Sequence, residues 1–593
     1  MNKTEKLISL VLGAVLAWYI FVEMPKQSQA AADAAKAQAV QAAQATGDGA
    51  VATQKVVQAA AEATTQATVD QPDRKVQAPP PAVPERIVVL ENDEVKLELS
   101  TWGAVVKKAT LKKFARDVGE ISEENPAVEL DFAAAPLGEL GGVEGLAPNA
   151  AYEVKSASSN EVVFANGEMT RTVTLAEGYR VSYEDVSGRA TPFSGSGNSI
   201  SLGVMTMGSS KNDLLSVDSL DARNDKGKEE VIHHCEGDSP LKAYLVGGLS
   251  GGCSGSSSAA GMPPTVRVDV RDEQKWIAVK NRFFVAALAS SSATISGFDA
   301  EIARDMNSAN YRPASVSARV RFADSKDCAR LTTFYVGPKK QSLLWDIGMR
   351  DVMEFGIWRW LCYPLVWVLN FFNDWIPNYG VAIILLTILV RLLFWPLTHK
   401  STVGMRKMQE LQPLMKEIQT KYKDNPQRMQ QETWALYREK KVNPMSSCLP
   451  MLIQIPVFIA LFNVLRSAVE LRYAPFLWIS DLSEPEALFA SWFPFGGLNL
   501  LPILMAVSTG LQSAFTPTAG DKSQQKMMMV FMPLMMLVMF YSFPSALSLY
   551  WFLSNLFSIV QMWLIRRQTA AKQEVLTPEV IDPPVTRQMR RHG

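Results

Sequence analysis

The stretch Tyr379–Thr398, YGVAIILLTILVRLLFWPLT, decides how the rest of the chain is read. It is apolar over a length that suits a bilayer core of about 30 Å, which takes about 20 helical residues to cross. Yet Arg391 stands in its C-terminal half, roughly 12 Å from the nearer end at about 1.5 Å of rise per residue. An arginine that deep in a spanning helix costs on the order of 2.5–3.5 kcal/mol. Water, a partner group or a substrate must meet it there.

Working outward, the chain of 593 residues exceeds one soluble domain. Its 59 basic and 59 acidic residues and mean hydropathy of +0.02 average two unlike parts. Residues 23 to about 355 are mostly polar and hold no run long enough to span. Beyond 355 the chain is rich in Leu, Met, Phe and Trp. This is the pattern of a polytopic α-helical membrane protein with one large water-soluble insertion. The five cysteines form no CxxC pair, and the four histidines include only the adjacent His233-His234. Neither a metal site nor a cofactor site is indicated, and no nucleic-acid motif is present. Cys235 and Cys253 flank a Gly-rich segment; a disulfide and two inert thiols are both open.

Residues 1–28 read as an N-terminal transmembrane anchor around Leu7–Val22, with Trp18 and Tyr19 at an interface. The competing reading is a cleaved signal peptide with a loose site at Ser28-Gln29-Ala30. Residues 29–84 are an Ala/Gln- and Pro-rich linker. Residues 85–340 alternate apolar and polar residues, as at Val95, Leu97 and Leu99, and carry a hairpin signal at Asn166-Gly167. They predict a large antiparallel sandwich without a catalytic acid pair. Residues 355–375 are aromatic, contain Arg359 and Pro364, and read as a helix lying in the membrane interface. The first later span is 379–398. Residues 399–444 form a helical hairpin turned at Asp424-Asn425-Pro426, with Asn425 as N-cap and Pro426 in the first turn. The hairpin holds ten Lys/Arg against five Asp/Glu, which places it in the cytoplasm. Further spans are expected at 445–468, 498–515, 527–543 and 546–565, with an outer loop at 470–493 and a cytoplasmic tail at 566–593. The total is six spans with both termini inside.

The spans contain no Asp or Glu to pair with Arg391. Glu470, at the outer end of the 445–468 span, is placed to pair with Arg466 four residues away. The nearby groups are uncharged: Thr387 on the same helix face, and Gln454, Asn463, Ser508, Gln512, Ser554 and Asn555 on other spans. A wet cavity around Arg391 and an arginine reaching toward the headgroups both remain open. For Gln454, Ser508 and Asn555, cavity lining competes with interhelical hydrogen bonding worth about 0.6 kcal/mol each.

Three segments, ILVRLLFWPLTHKSTVGMRKMQELQP, KVNPMSSCLPMLIQIPVFIALFNVL and FPSALSLYWFLSN, resemble the core of the YidC/Oxa/Albino family of membrane protein insertases. The soluble half is similar to the large periplasmic domain of the Gram-negative form, most visibly at QKWIAVKNRFFVAAL. The resemblance implies a five-helix insertase core with an extracytoplasmic β-supersandwich, in the bacterial inner membrane. It implies a chaperone and insertase without covalent chemistry or cofactor, working through a hydrophilic groove open to the cytoplasm and to lipid. The groove arginine matches Arg391, with Thr387, Gln454, Ser508, Gln512, Tyr550, Trp551 and Asn555 expected around it. Partners implied are nascent inner-membrane proteins, membrane lipids, the Sec translocon (SecYEG and SecDF), and a ribosome or targeting factors at the hairpin. Many members have Tyr-Tyr where this chain has Tyr550-Trp551; an indole N–H donates but cannot accept. A small-solute transporter or channel is the alternative, disfavoured by the lack of repeats and of paired intramembrane charges. A carbohydrate-active enzyme would need an acid pair in the sandwich.

Overall fold

The computed structural model describes residues 83–576, apart from 168, 190–191, 194–196, 207–214, 222–229, 237–264, 270–273, 305–312, 354, 441, 443–448, 490–496 and 517–521. The expected N-terminal anchor, nearly all of the linker, the end of the tail and Cys253 lie outside these residues, so the Cys235–Cys253 pairing does too.

Alternation builds the soluble half. In Val95–Ser100, Val95, Leu97 and Leu99 are buried while the residues between them are half-buried, because successive strand side chains point to opposite faces. The strands form two nine-stranded antiparallel sheets. Four consecutive strands, Glu153–Ala157, Glu161–Asn166, Met169–Leu175 and Arg180–Ser187, make a meander at one edge. Its second turn closes between Asn166 and Met169, with Gly167 at φ +57°, a conformation glycine adopts without a Cβ clash. Phe164, Val173, Tyr183, Leu202, Trp276, Phe298 and Phe334 fill the apolar core. The predicted sandwich is present.

That core also holds charge. Asp185 sits between Arg171 and Arg330 on adjacent strands, directly opposite both in register. Its carboxylate lies 2.8 Å from Arg171 Nε and 3.3 Å from Arg330 Nη2, and all three side chains are buried. Arg171 stacks over Tyr183, and Arg330 over Phe193 and Phe322. Burial pulls the Arg330 guanidinium below its usual value, with Asp185 working against that shift. Burial also pushes the nearby Tyr152 hydroxyl up to about 12.

Nine α-helices are described after the sandwich: α1 Gln341–Asp346, α2 Arg359–Trp375, α3 Tyr379–Glu410, α4 Gln412–Lys421, α5 Pro426–Glu439, α6 Leu449–Ser467, α7 Leu500–Phe515, α8 Lys522–Phe540 and α9 Ser545–Leu576. In α2 the buried residues Cys362, Leu365, Val366 and Leu369 follow helical spacing. Trp360, Trp367, Phe371 and Trp375 are exposed on the other side. The helix α3 does not stop at Thr398. It runs on to Glu410, and after Leu411 a new helix starts at Gln412 with Pro413 in its first turn, where a proline, unable to donate the backbone bond that would continue the first helix, is tolerated. The α4–α5 turn forms as its sequence indicates: the Asn425 side chain accepts from Arg428 N at 3.1 Å, with Pro426 in the first turn. Tyr437 Oη donates to Met415 Sδ across the pair.

Two helical segments among the described residues are long and apolar enough to cross a membrane, Tyr379–Glu410 and Ser545–Ile565. Three shorter apolar segments, Gln454–Ser467, Leu500–Phe515 and Met529–Phe540, accompany them.

The expected Arg466–Glu470 pair does not form. The helix ends at Ser467, Ala468 is extended and Val469–Leu471 is a 3-10 turn, so the one-turn spacing is lost. Arg466 lies over the Phe462 ring, while both Glu470 carboxylate oxygens are buried without a hydrogen-bond partner. The following loop covers the N-terminal ends of α7 and α9. Glu486 accepts from Leu500 N and Leu501 N at the start of α7, and the Glu484 and Leu482 carbonyls accept from Ser545 N and Ala546 N at the start of α9. Helix N-termini leave such donors unsatisfied. Phe476 packs on Gly380, where a Cβ would come within 2.1 Å of its ring. Tyr473, Leu477, Ala487 and Phe489 in this loop have positive φ, a region side chains rarely enter.

The sandwich docks on the same loop. Arg282, in a turn between two strands, pairs with Glu484, donates from Nε to Arg466 O at 2.8 Å and from Nη2 to Ser483 O at 2.6 Å. Arg472 donates back to Ala115 O at 2.7 Å.

Candidate functional site

The site grows from one crossing, where α3 brings Arg391 against α9. Arg391 donates from Nε and Nη2 to Ser554 Oγ, at 3.0 and 2.6 Å. No carboxylate accompanies it among the described residues. Leu392 and Leu393, next in the chain, are 61% and 71% exposed, so the helix turns an apolar face outward beside its charge. Four residues after Tyr550 on α9 comes Ser554, and Ser558 and Gln561 continue the same side of the helix, as a spacing of three and four requires.

Tyr550 is buried, and its hydroxyl accepts from Gln454 Nε2 on α6 at 3.0 Å. Further along, Gln561 Nε2 donates to Thr398 Oγ1 at 2.9 Å. The structure thus places Arg391, Gln454 and Tyr550 on three helices meeting at α9.

Asn555 is one residue beyond Ser554, about 100° around the helix, and turns toward α7 instead. Its Nδ2 donates to Ser508 Oγ at 2.9 Å and Thr509 Oγ1 at 2.8 Å, and all three residues are buried. Both hydroxyls also donate to the Met505 carbonyl. This is interhelical bonding that fastens α7 to α9. Thr387 is fully buried and donates to Ile383 O within its own helix at 2.7 Å, away from Arg391. Gln512 is half-buried, and its side chain has no hydrogen-bond partner among the described residues. Trp551 packs edge-on to Phe458 at 5.1 Å and against Phe540.

Thr509 and Gln561 carry contacts that single-residue reading passed over, and Ser554, one of several uncharged groups expected near Arg391, is the one it meets. The signal was available in the polar positions 550, 554, 558 and 561 of an otherwise apolar segment. No group of metal-ligating side chains is present among the described residues.

Comparison with known proteins assigns both halves of the chain. Residues 371–573 match the family model described as 60Kd inner membrane protein, and residues 258–368 match the YidC periplasmic domain. A membrane protein insertase YidC from Prosthecochloris aestuarii is 31% identical over 525 residues, covering 84% of this chain and 86% of that protein. One from Syntrophobacter fumaroxidans is 41% identical over 297 residues, which is 49% of this chain and 53% of that protein. A crystal structure of YidC from Thermotoga maritima covers 80% of this chain and 98% of that chain, at 14% identity and a TM-score of 0.28. The relatives are named insertases and give the transporter, channel and enzyme alternatives no support. With family models matched over 258–368 and 371–573 and a relative matched along most of its length, the chain belongs to the YidC family of membrane protein insertases.

Proposed function

We propose that this chain inserts nascent membrane proteins into the bacterial inner membrane, and helps them fold, by offering Arg391 as a charge at depth. The observation that carries this reading is a guanidinium held between α3 and α9, among the described residues, by a hydroxyl alone. A half-buried cation at that depth without a carboxylate is costly. That cost is relieved when an acidic or polar translocated segment enters, and the segment's apolar part then leaves laterally into lipid. Gln454 and Tyr550 line the entry with Arg391; Gln512 and Trp551 are proposed to meet the passing chain; Thr387, Ser508 and Asn555 hold the helices around it.

The chain is read with six spans and both termini in the cytoplasm. The N-terminal anchor is the first, and the segments at 379–398, 445–468, 498–515, 527–543 and 546–565 follow. The sandwich then lies in the periplasm. The exposed aromatic side of α2 lies among lipid headgroups. The α4–α5 hairpin, with Lys416, Lys421, Lys423 and Arg428, meets a ribosome or targeting factor, and the Sec translocon is a partner for larger substrates.

Reconstitution provides the test. The full chain in liposomes, given a small newly synthesised membrane protein, should yield a protease-protected translocated segment above the level in empty liposomes. Equal protection with and without the chain would remove the proposal.

A further inference from the structure

Ser554 does more than fill space beside Arg391. A guanidinium has five N–H donors arranged as two forked edges. Nε and Nη2, which form one edge, both end on Ser554 Oγ. The other edge, formed by Nη1 and the second N–H of Nη2, has no partner among the described residues. Ser554 is 2% exposed, so it cannot swing away to solvent, and it belongs to the same helix that buries Tyr550 and Asn555.

We infer that Ser554 is a positioning residue for substrate recognition: by occupying one edge of Arg391 it presents the other edge, a fork matched to a carboxylate, to the incoming chain. A hydroxyl suits this task because it accepts two hydrogen bonds and leaves the positive charge intact. A carboxylate at the same position would neutralise Arg391 and occupy it permanently. The ligand class is the side-chain or terminal carboxylate of a translocated segment, which pairs with a guanidinium edge through two parallel bonds. The inference rests on the proposed role of Arg391.

The test uses the full chain in liposomes and two matched substrates, whose translocated segments carry two Asp or two Asn. The quantity read is the ratio of acidic to neutral insertion. The wild type should favour the acidic substrate, by on the order of tenfold, the factor for one charge-assisted hydrogen bond. Ser554→Thr should keep that ratio, Ser554→Ala should bring it toward unity, and Ser554→Asp should abolish or invert it. A wild-type ratio in Ser554→Ala or Ser554→Asp overturns the inference, as does a parallel loss of both substrates in all three variants. If Ser554→Ala does not accumulate, the contrast between Ser554→Thr and Ser554→Asp decides. Arg391→Ala separates the two levels: a ratio equal to wild type there defeats the role of Arg391 itself, while a changed ratio there with an unchanged one in Ser554→Ala defeats only the role of Ser554.

Discussion

Two parts of this molecule draw arginine away from water, wholly in the sandwich and by half in the helices, and they treat it in opposite ways. In the sandwich, Arg171 and Arg330 share Asp185, which stands opposite both in the sheet. One further donor of each reaches a backbone or amide oxygen, Arg171 Nη1 at Gly103 O and Arg330 Nη1 at Asn198 Oδ1, both 2.9 Å away. In the helices, Arg391 meets one hydroxyl and no carboxylate among the described residues. The first arrangement is closed in that its counter-charge is built into the fold, one carboxylate shared by two guanidinium groups. The second is open, with charge and half of the donor set left over. A buried charge with a built-in partner belongs to structure, and one without belongs to whatever enters.

The largest effect should come from opening the closed arrangement. Asp185→Ala leaves two buried guanidinium groups facing each other, and removing one partner of a buried ion pair costs about 3–5 kcal/mol. Hydrogen exchange in the strands Met169–Leu175, Arg180–Ser187 and Ala329–Pro338 of the full chain should rise together. Unchanged protection would mean that the fold does not need its counter-charge.

Arg282 is an intermediate case, paired with Glu484 but also spent on two loop carbonyls. Because Glu484 keeps some access to solvent, Arg282→Ala should cost less, about 1–3 kcal/mol. The loss should appear as faster limited proteolysis in the 341–358 connector between sandwich and helices, and equal cleavage rates would show that the two parts are held otherwise.

Glu470 is the converse, an acid buried without a partner. Burial raises its pKa, and its own backbone N–H, the charge of Lys340 and the Asn370 side chain offset this only in part. A carboxyl whose folded pKa lies above its unfolded value favours folding below the unfolded pKa, and that contribution is lost as pH rises through the folded pKa. Glu470→Gln should therefore be more stable than wild type at neutral pH, with the gap closing on acidification. Thermal unfolding across that range measures it; a gap that does not depend on pH would show that Glu470 is stabilised in its charged form.

Much of this was readable in the chain. Strand alternation at Val95, Leu97 and Leu99, the Asn425-Pro426 helix start and the charge inside an apolar span are local patterns, and local patterns survive folding. The Asp185 cluster was not readable, because inward-facing charges look like outward-facing ones until the partner strands are in register. The continuation of α3 past Thr398 was missed for a related reason: loss of hydrophobicity marks the edge of a span, but a helix ends only where its backbone is broken. Among the site residues, Arg391 was legible from depth and charge alone. Its partner was not, since Ser554 and Asn555 are adjacent in sequence, equally polar and turned toward different helices. Thr387 spends its hydroxyl on the carbonyl one turn back, as a threonine in a helix can.

The most direct test of the open arrangement is a charge exchange at its centre. Arg391→Glu is compared with wild type in liposomes, using substrates whose translocated segments differ only in carrying two Asp or two Lys. The account predicts that wild type favours the acidic segment and that Arg391→Glu favours the basic one. The same acidic preference in both proteins, or equal insertion of both segments by wild type, would contradict it.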